Sequence, residues 1–280
     1  MNNITGHTGL TALLGSPVAH SISPLMHNES FRLLGLDYVY LCFDVNEETL
    51  PAAVAGLKTC GIRGFNLTMP NKNKIVELLD ELSPEAQLIG AVNTVLNDNG
   101  KLIGYNTDGY GFMQSVRDAG HDITGKNITV MGVGGASMAI CAQSALDGAA
   151  SVHIFARRTS RYWNRTQKFA ENLSAKTGCQ VCLFDNDDHT ALRDSIAQSY
   201  LLINATSVGM VPDIDDTIIK DTSLFHPELV VADVVYEPQE TRLLREAKAA
   251  GCQTFNGMYM LLHQGAKACL LYTSDAADEL

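Results

Sequence analysis

The sequence predicts an α/β protein of two domains, the second of them a doubly wound parallel sheet. Short apolar runs alternate with stretches of helical spacing along most of the chain, which is the sequence form of βαβ units. The run Asn127–Val133 enters a cluster of glycines, where a buried strand must turn sharply. The 280 residues also exceed the size that one hydrophobic core ordinarily serves, so the elements divide between two.

Taken in order, Thr11–Gly15 reads as a strand, Leu25–Leu34 as a helix and Tyr38–Val45 as a strand. A helix over Thr49–Cys60, a strand at Gly64–Leu67 and a helix over Lys72–Leu79 follow. Val92–Leu96 and Lys101–Tyr105 form a strand pair, because Asp98-Asn99-Gly100 between apolar runs is a hairpin signal. From Gly109 the rhythm changes, with a helix to Ala119 and then the strand that ends in glycines. Further strands are expected at Ser151–Ala156, Gln180–Phe184, Leu201–Asn204, Val230–Val235 and Gln253–Phe255, mostly separated by helices, before a last helix over Met258–Leu271. The expected division is 1–108, completed by the helix at 257–271, then 109–256, then a tail at 272–280.

Composition narrows the function classes. With 46% hydrophobic and 18% charged residues the chain reads as globular, and a net charge of −11 repels nucleic acid and anionic membranes. Met1–Thr11 lacks the apolar stretch of a secretory signal, and no apolar run of about 18 residues occurs. Seven scattered cysteines fit a reducing cytoplasm. Cys179 and Cys182 form a C-x-x-C without a second pair at metal-ligand spacing, so they read as strand residues and no metal is expected. A small-molecule substrate is expected, with a homodimer left open.

The glycine turn is the clearest local motif. Gly132, Gly134, Gly135, Ala136 and Ser137 lie where a strand passes into the helix Met138–Leu146, so backbone N–H groups and the helix N-terminus can receive a pyrophosphate. The next strand ends at Ala156, within the span of one βαβ unit, which predicts a Rossmann-type dinucleotide domain. An NAD-selective site carries an acid after that strand. Here the sequence is Arg157-Arg158-Thr159-Ser160-Arg161, and guanidiniums suit a 2′-phosphate, so NADP is the expected cofactor and NAD the alternative.

Four more segments are Ser21-Ile22-Ser23-Pro24, Asn66-Leu67-Thr68-Met69-Pro70-Asn71-Lys72, Gly90-Ala91-Val92-Asn93-Thr94 and Gly104-Tyr105-Asn106-Thr107-Asp108-Gly109. With Asn204 through Met210 and Gly257 through Gln264, their order and spacing resemble the motif series of the shikimate dehydrogenase family, in particular its shikimate/quinate branch. The resemblance covers the chain to about Leu271. It implies an NAD(P)-dependent oxidoreductase that interconverts 3-dehydroshikimate and shikimate, the substrate domain preceding the dinucleotide domain.

It further implies that Ser21 and Ser23 hold the substrate carboxylate, that Lys72 and Asp108 flank the oxidised hydroxyl as catalytic residues, and that Asn93 and Gln264 bind the other ring hydroxyls. Asn66, Thr68 and Tyr236 complete the expected substrate contacts, while Thr206 and Gly257 join the cofactor set. The chemistry is coherent, since a polyhydroxylated acid needs neutral hydrogen-bonding groups, a proton-transfer group and a carboxylate to orient it. Taken singly, each residue has an ordinary reading: Lys72 as an exposed lysine, Asp108 as a helix cap, the two serines as turn residues. The alternatives are a quinate/shikimate dehydrogenase using NAD and a non-catalytic dinucleotide-sensing homologue. The family pattern continues past the last helix with an aromatic-Thr-Gly segment, which the tail at 272–280 lacks.

Overall fold

The computed structural model describes residues 4–273. They form two compact units, one running to Thr107 and resuming at Gln264, the other spanning Asp108–His263.

The first unit carries β1 (Gly9–Gly15), α1 (Ser23–Leu34), β2 (Tyr38–Asp44), α2 (Leu50–Thr59), β3 (Gly64–Leu67), β4 (Glu81–Leu82), α3 (Pro84–Ile89), β5 (Thr94–Asp98) and β6 (Lys101–Tyr105). The strands lie in the order β2-β1-β3-β5-β6-β4, with β1 parallel to β2 and β3, and β5 antiparallel to β3 and β6. β1 is buried continuously over Thr11–Gly15 because both of its faces are covered, and its one polar side chain there, Thr11, donates to the Val39 carbonyl at 3.1 Å. Ala12 and Leu14 join a cluster with Val54, Phe65 and Leu67, whereas Leu13 joins Phe31, Tyr40 and Tyr272 on the other side. The β5–β6 hairpin turns on Asn99 and Gly100, both at positive φ (50° and 92°), the geometry that Asn-Gly favours.

One expected helix is corrected. Lys72–Leu79 does not form an α-helix; a short 3₁₀ turn occupies Lys74–Leu78. The Lys72 carbonyl accepts Val92 N–H at 2.8 Å, and Val76 N–H reaches back three residues to Asn73. A long-range partner therefore takes the acceptor that the first helical turn needs. Helix α3 was not anticipated, although Ser83 before Pro84 is a helix-start signal and its hydroxyl accepts Ala86 N–H.

The second unit carries α4 (Asp108–Asp118), β7 (Asn127–Met131), α5 (Gly135–Leu146), β8 (Ser151–Ala156), α6 (Trp163–Thr177), β9 (Gln180–Asp185), α7 (His189–Gln198), β10 (Leu201–Asn204), β11 (Val230–Asp233), α8 (Arg242–Ala249) and β12 (Gln253–Phe255). Its strands are all parallel, in the order β12-β11-β10-β7-β8-β9. Strand order reverses between β7 and β10, the switch point at which such sheets leave a crevice beyond the strand ends. Cys179 and Cys182 are free thiols, and no metal-holding group occurs among the described residues.

The last helix, α9 (Met258–Thr273), extends past the expected Leu271. Tyr272, expected in the tail, is fully buried with Phe31 and Tyr40, and its carbonyl accepts Arg63 Nε–H at 2.8 Å. From position 274 the tail lies outside the described residues. No helix among them is long and apolar enough to cross a membrane.

His27 on α1 is buried, its ring stacked on Tyr40 at a centroid distance of 4.2 Å. Burial pushes its pKa down to about 4 from an ordinary 6.5. Between those values the unfolded chain binds a proton that the native state refuses, so stability is full above pH 6.5 and declines as pH falls. The expected loss at pH 5 is about 2 kcal/mol relative to pH 7. Denaturant melts at both pH values should show that loss shrinking in His27→Phe; an equal loss in both proteins would contradict it.

Candidate active site

In the first unit the candidate substrate residues gather at the ends of β1, β3 and β5. Ser21 and Ser23 lie together at the start of α1, half-buried, with Ser23 N–H donated to Ser21 Oγ at 3.2 Å. Thr68 follows β3 and anchors the next turn, accepting Asn71 N–H on its carbonyl. Lys72 is half-buried in that turn. Gln264 lies half-buried on α9.

Asn93 is the most constrained member, 2% exposed. Thr107 N–H, which can only donate, points at Asn93 Oδ1 at 2.8 Å, and this fixes which end of the amide is which. Nδ2 then donates to Thr107 Oγ1 at 3.0 Å, and Thr94 Oγ1 donates to Oδ1 at 3.0 Å. Behind Asn93 sits Asn66, whose Nδ2 donates to the Asn93 carbonyl and to Thr94 Oγ1, while its Oδ1 accepts the Tyr40 hydroxyl at 2.8 Å. Both amide hydrogens of Asn66 are thus used inside the protein. Its part is to brace Asn93 rather than to donate to a ligand.

In the second unit the glycine turn is as tight as its sequence suggests. Gly132 has φ of 113°, and a Cβ there would stand 2.8 Å from Thr206 Cγ2 and 2.9 Å from the Ala205 carbonyl oxygen. No other residue combines that backbone angle with that clearance. Gly134 caps α5 in extended conformation, and space is open where a Cβ would project from Gly134 and Gly135. The first-turn N–H groups of α5, from Gly135, Ala136 and Ser137, have no helical acceptor, and a helix terminus of this kind favours negative charge. Ser137 contributes only its backbone, since its buried hydroxyl is donated to Gly132 O at 2.6 Å.

Arg157, Arg158, Thr159 and Arg161 form an exposed loop after β8. The Arg158 guanidinium lies 4.7 Å from the Trp163 ring centroid and Arg161 lies at 4.7 Å over Tyr162, so aromatic faces orient the two cations. Asp108 opens α4 and is buried, an acid at the terminus that favours one. Gly257 packs closely on the Val234 carbonyl and donates its N–H to Val235 O. Tyr236 is exposed beyond β11. A separate cavity of about 460 Å³, lined by Pro24, Leu25, Asn28, Arg32 and Tyr38, holds none of the candidate residues.

A buried network beyond β10 and β11 was not read from the sequence. Asn204 Nδ2 donates to Asp233 Oδ1 at 3.0 Å, Val235 N–H donates to the same oxygen, and the Thr241 hydroxyl donates to Oδ2 at 2.7 Å. Burial pushes the Asp233 carboxyl up from its ordinary value, against the pull of these three donors. The usable signal was an acid inside the apolar run Val230–Val235. Thr107, inside a quoted motif but not singled out, was likewise missed, as was Tyr40.

Comparison with known proteins agrees with this architecture. Residues 13–95 match the family model described as the shikimate dehydrogenase substrate binding domain. The NADP(+) shikimate dehydrogenase of Listeria innocua is 51% identical, over 96% of this chain and 92% of that protein. This chain belongs to the shikimate dehydrogenase family. A Streptococcus pyogenes relative of the same description is 48% identical over 96% of this chain and 93% of its own length. The crystal structure of shikimate 5-dehydrogenase from Listeria monocytogenes with shikimate and NAD superposes with a TM-score of 0.95, at 49% identity, covering 98% of this chain and 94% of that one.

Tyr40→Phe should cost stability, because it strands the buried Asn66 Oδ1. Urea melts are expected to show a loss of about 1–3 kcal/mol; a variant as stable as the wild type would contradict the bracing role.

Proposed function

We propose that the chain catalyses the reversible NADP(H)-dependent reduction of 3-dehydroshikimate to shikimate. The observation that carries this reading is near-half identity, across almost the whole chain, to NADP(+) shikimate dehydrogenases of two genera. The arginine loop supports the choice of NADP over NAD, because exposed guanidiniums can grip a 2′-phosphate where an acid would repel it.

In the first unit Ser21 and Ser23 bind the acid's carboxylate, and Asn93, Thr68 and Gln264 bind its ring hydroxyls. Lys72 exchanges the proton of the reacting hydroxyl, and Asp108 supplies the orienting carboxylate. The first turn of α5 and the arginine loop hold the dinucleotide, which when bound supplies the hydride acceptor. Loss of the hydroxyl proton to Lys72 lets the carbinol carbon release hydride, so the lysine acts as general base in oxidation and as general acid in reduction. Cytoplasmic action and a homodimer belong to the same proposal. The free cysteines support the first, and exposed Leu25, Leu33 and Leu34 on α1 support the second.

Initial rates followed by nicotinamide absorbance, with shikimate and with quinate, each against NADP⁺ and NAD⁺, test the reading. Shikimate with NADP⁺ should give the highest kcat/KM, and Lys72→Ala should lower kcat by about 10²–10⁴-fold. Higher kcat/KM with quinate would reassign the substrate. Dinucleotide binding without turnover of either acid would favour a regulatory protein.

A further inference from the structure

Resting on the dinucleotide reading above, the structure assigns Thr206 a one-way role: we propose that its hydroxyl accepts, and does not donate, a hydrogen bond at the nicotinamide nucleoside, with Asn204 as the positioning residue.

The argument is a proton count. Asn204 Nδ2 faces Asp233 Oδ1 and the Val208 carbonyl at 3.1 Å, both of which only accept. Asn204 Oδ1 faces Thr206 N–H at 3.1 Å, which only donates. A flipped amide would set donor against donor and acceptor against acceptor, so one orientation remains. Thr206 Oγ1 lies 2.7 Å from Asn204 Oδ1 and donates its single hydrogen there. One of its lone pairs takes Val208 N–H at 3.1 Å. What remains for a ligand is the second lone pair. Thr206 is half-buried, so part of its surface stays open to a ligand.

Its location selects the partner. Thr206 follows β10, on one side of β7 and its glycine turn, whereas β8 and the arginine loop lie on the other. With the pyrophosphate on α5 and the 2′-phosphate at the arginines, the nicotinamide half falls on the β10 side. That half carries two kinds of donor, ribose hydroxyls and the carboxamide N–H₂. Phosphate oxygens, which only accept, are excluded as partners. Asp233 holds the assembly, because its buried carboxylate leaves Asn204 no alternative acceptor of equal strength.

Calorimetric titration of NADP⁺ into wild type, Thr206→Val and Thr206→Ser tests the assignment, with thermal melts and the KM for shikimate measured alongside. T206V should weaken NADP⁺ by about tenfold and lower the melting temperature through the lost bonds to Asn204 and Val208, and T206S should restore both, with the shikimate KM unmoved throughout. Should T206V pack badly, Thr206→Ala should give the same loss, again restored by serine. Repeating the titration with the 3-acetylpyridine analogue of NADP⁺, which lacks the carboxamide N–H₂, locates the donor. A valine penalty that persists points to a ribose hydroxyl, and one that vanishes points to the carboxamide.

Asn204→Asp sets a second carboxyl against Asp233. Its NADP⁺ affinity should fall as pH rises through the titration of the pair, a dependence the wild type lacks. Equal NADP⁺ affinity in T206V and wild type, an unrestored loss in T206S, or a pH-independent wild-type affinity in N204D would overturn the proposal. Failure of the wild type to bind any dinucleotide would instead overturn the reading on which it rests.

Discussion

The second unit is organised around one steric constraint, the approach of Gly132 to the backbone at Ala205 and Thr206. β7 and β10 are adjacent parallel strands, and their C-terminal ends converge where the chain leaves the sheet. Only a hydrogen atom fits on the inner side of Gly132, at a φ that an L side chain avoids. Because the strand turns there, α5 begins within three residues, its first-turn N–H groups are left without helical acceptors, and Ser137 can close the turn by donating back to Gly132 O. The location of Thr206 follows from the same contact, since it forms the wall against which the turn packs.

Both units use buried amides as fixed parts. Asn93 is oriented by Thr107 N–H and Asn204 by Thr206 N–H, and in each case a backbone donor removes the ambiguity of the amide. Each is then held from behind, Asn93 by Asn66 and Tyr40, Asn204 by Asp233 and Thr241. A buried polar network is costly when incomplete and rigid when complete, so each amide is held in a single orientation.

The fold was legible where patterns are local. The Asn-Gly hairpin, the glycine turn after β7 and the parallel strands of the second unit all follow from short-range chemistry. Lys72–Leu79 was misread because Val92, twenty residues on, takes the Lys72 carbonyl, and no local propensity encodes that bond. The candidate site divides the same way. Motif order gave the residue list, but not which side chains are consumed internally: nothing in the sequence says that Asn66 spends both amide hydrogens on Asn93 and Thr94, or that Ser137 donates to Gly132. Asp233 was the nearest miss, a lone acid in an apolar strand whose partners Asn204 and Thr241 come from other segments.

The constraint at Gly132 is tested most directly by calorimetric titration of NADP⁺ into the wild type and Gly132→Ala at a temperature where both are folded. Added bulk at 2.8–2.9 Å from Thr206 and Ala205 must push the turn away and disturb the N-terminus of α5, so NADP⁺ affinity should fall by about tenfold or more. An alanine variant that binds NADP⁺ as tightly as the wild type would contradict the account.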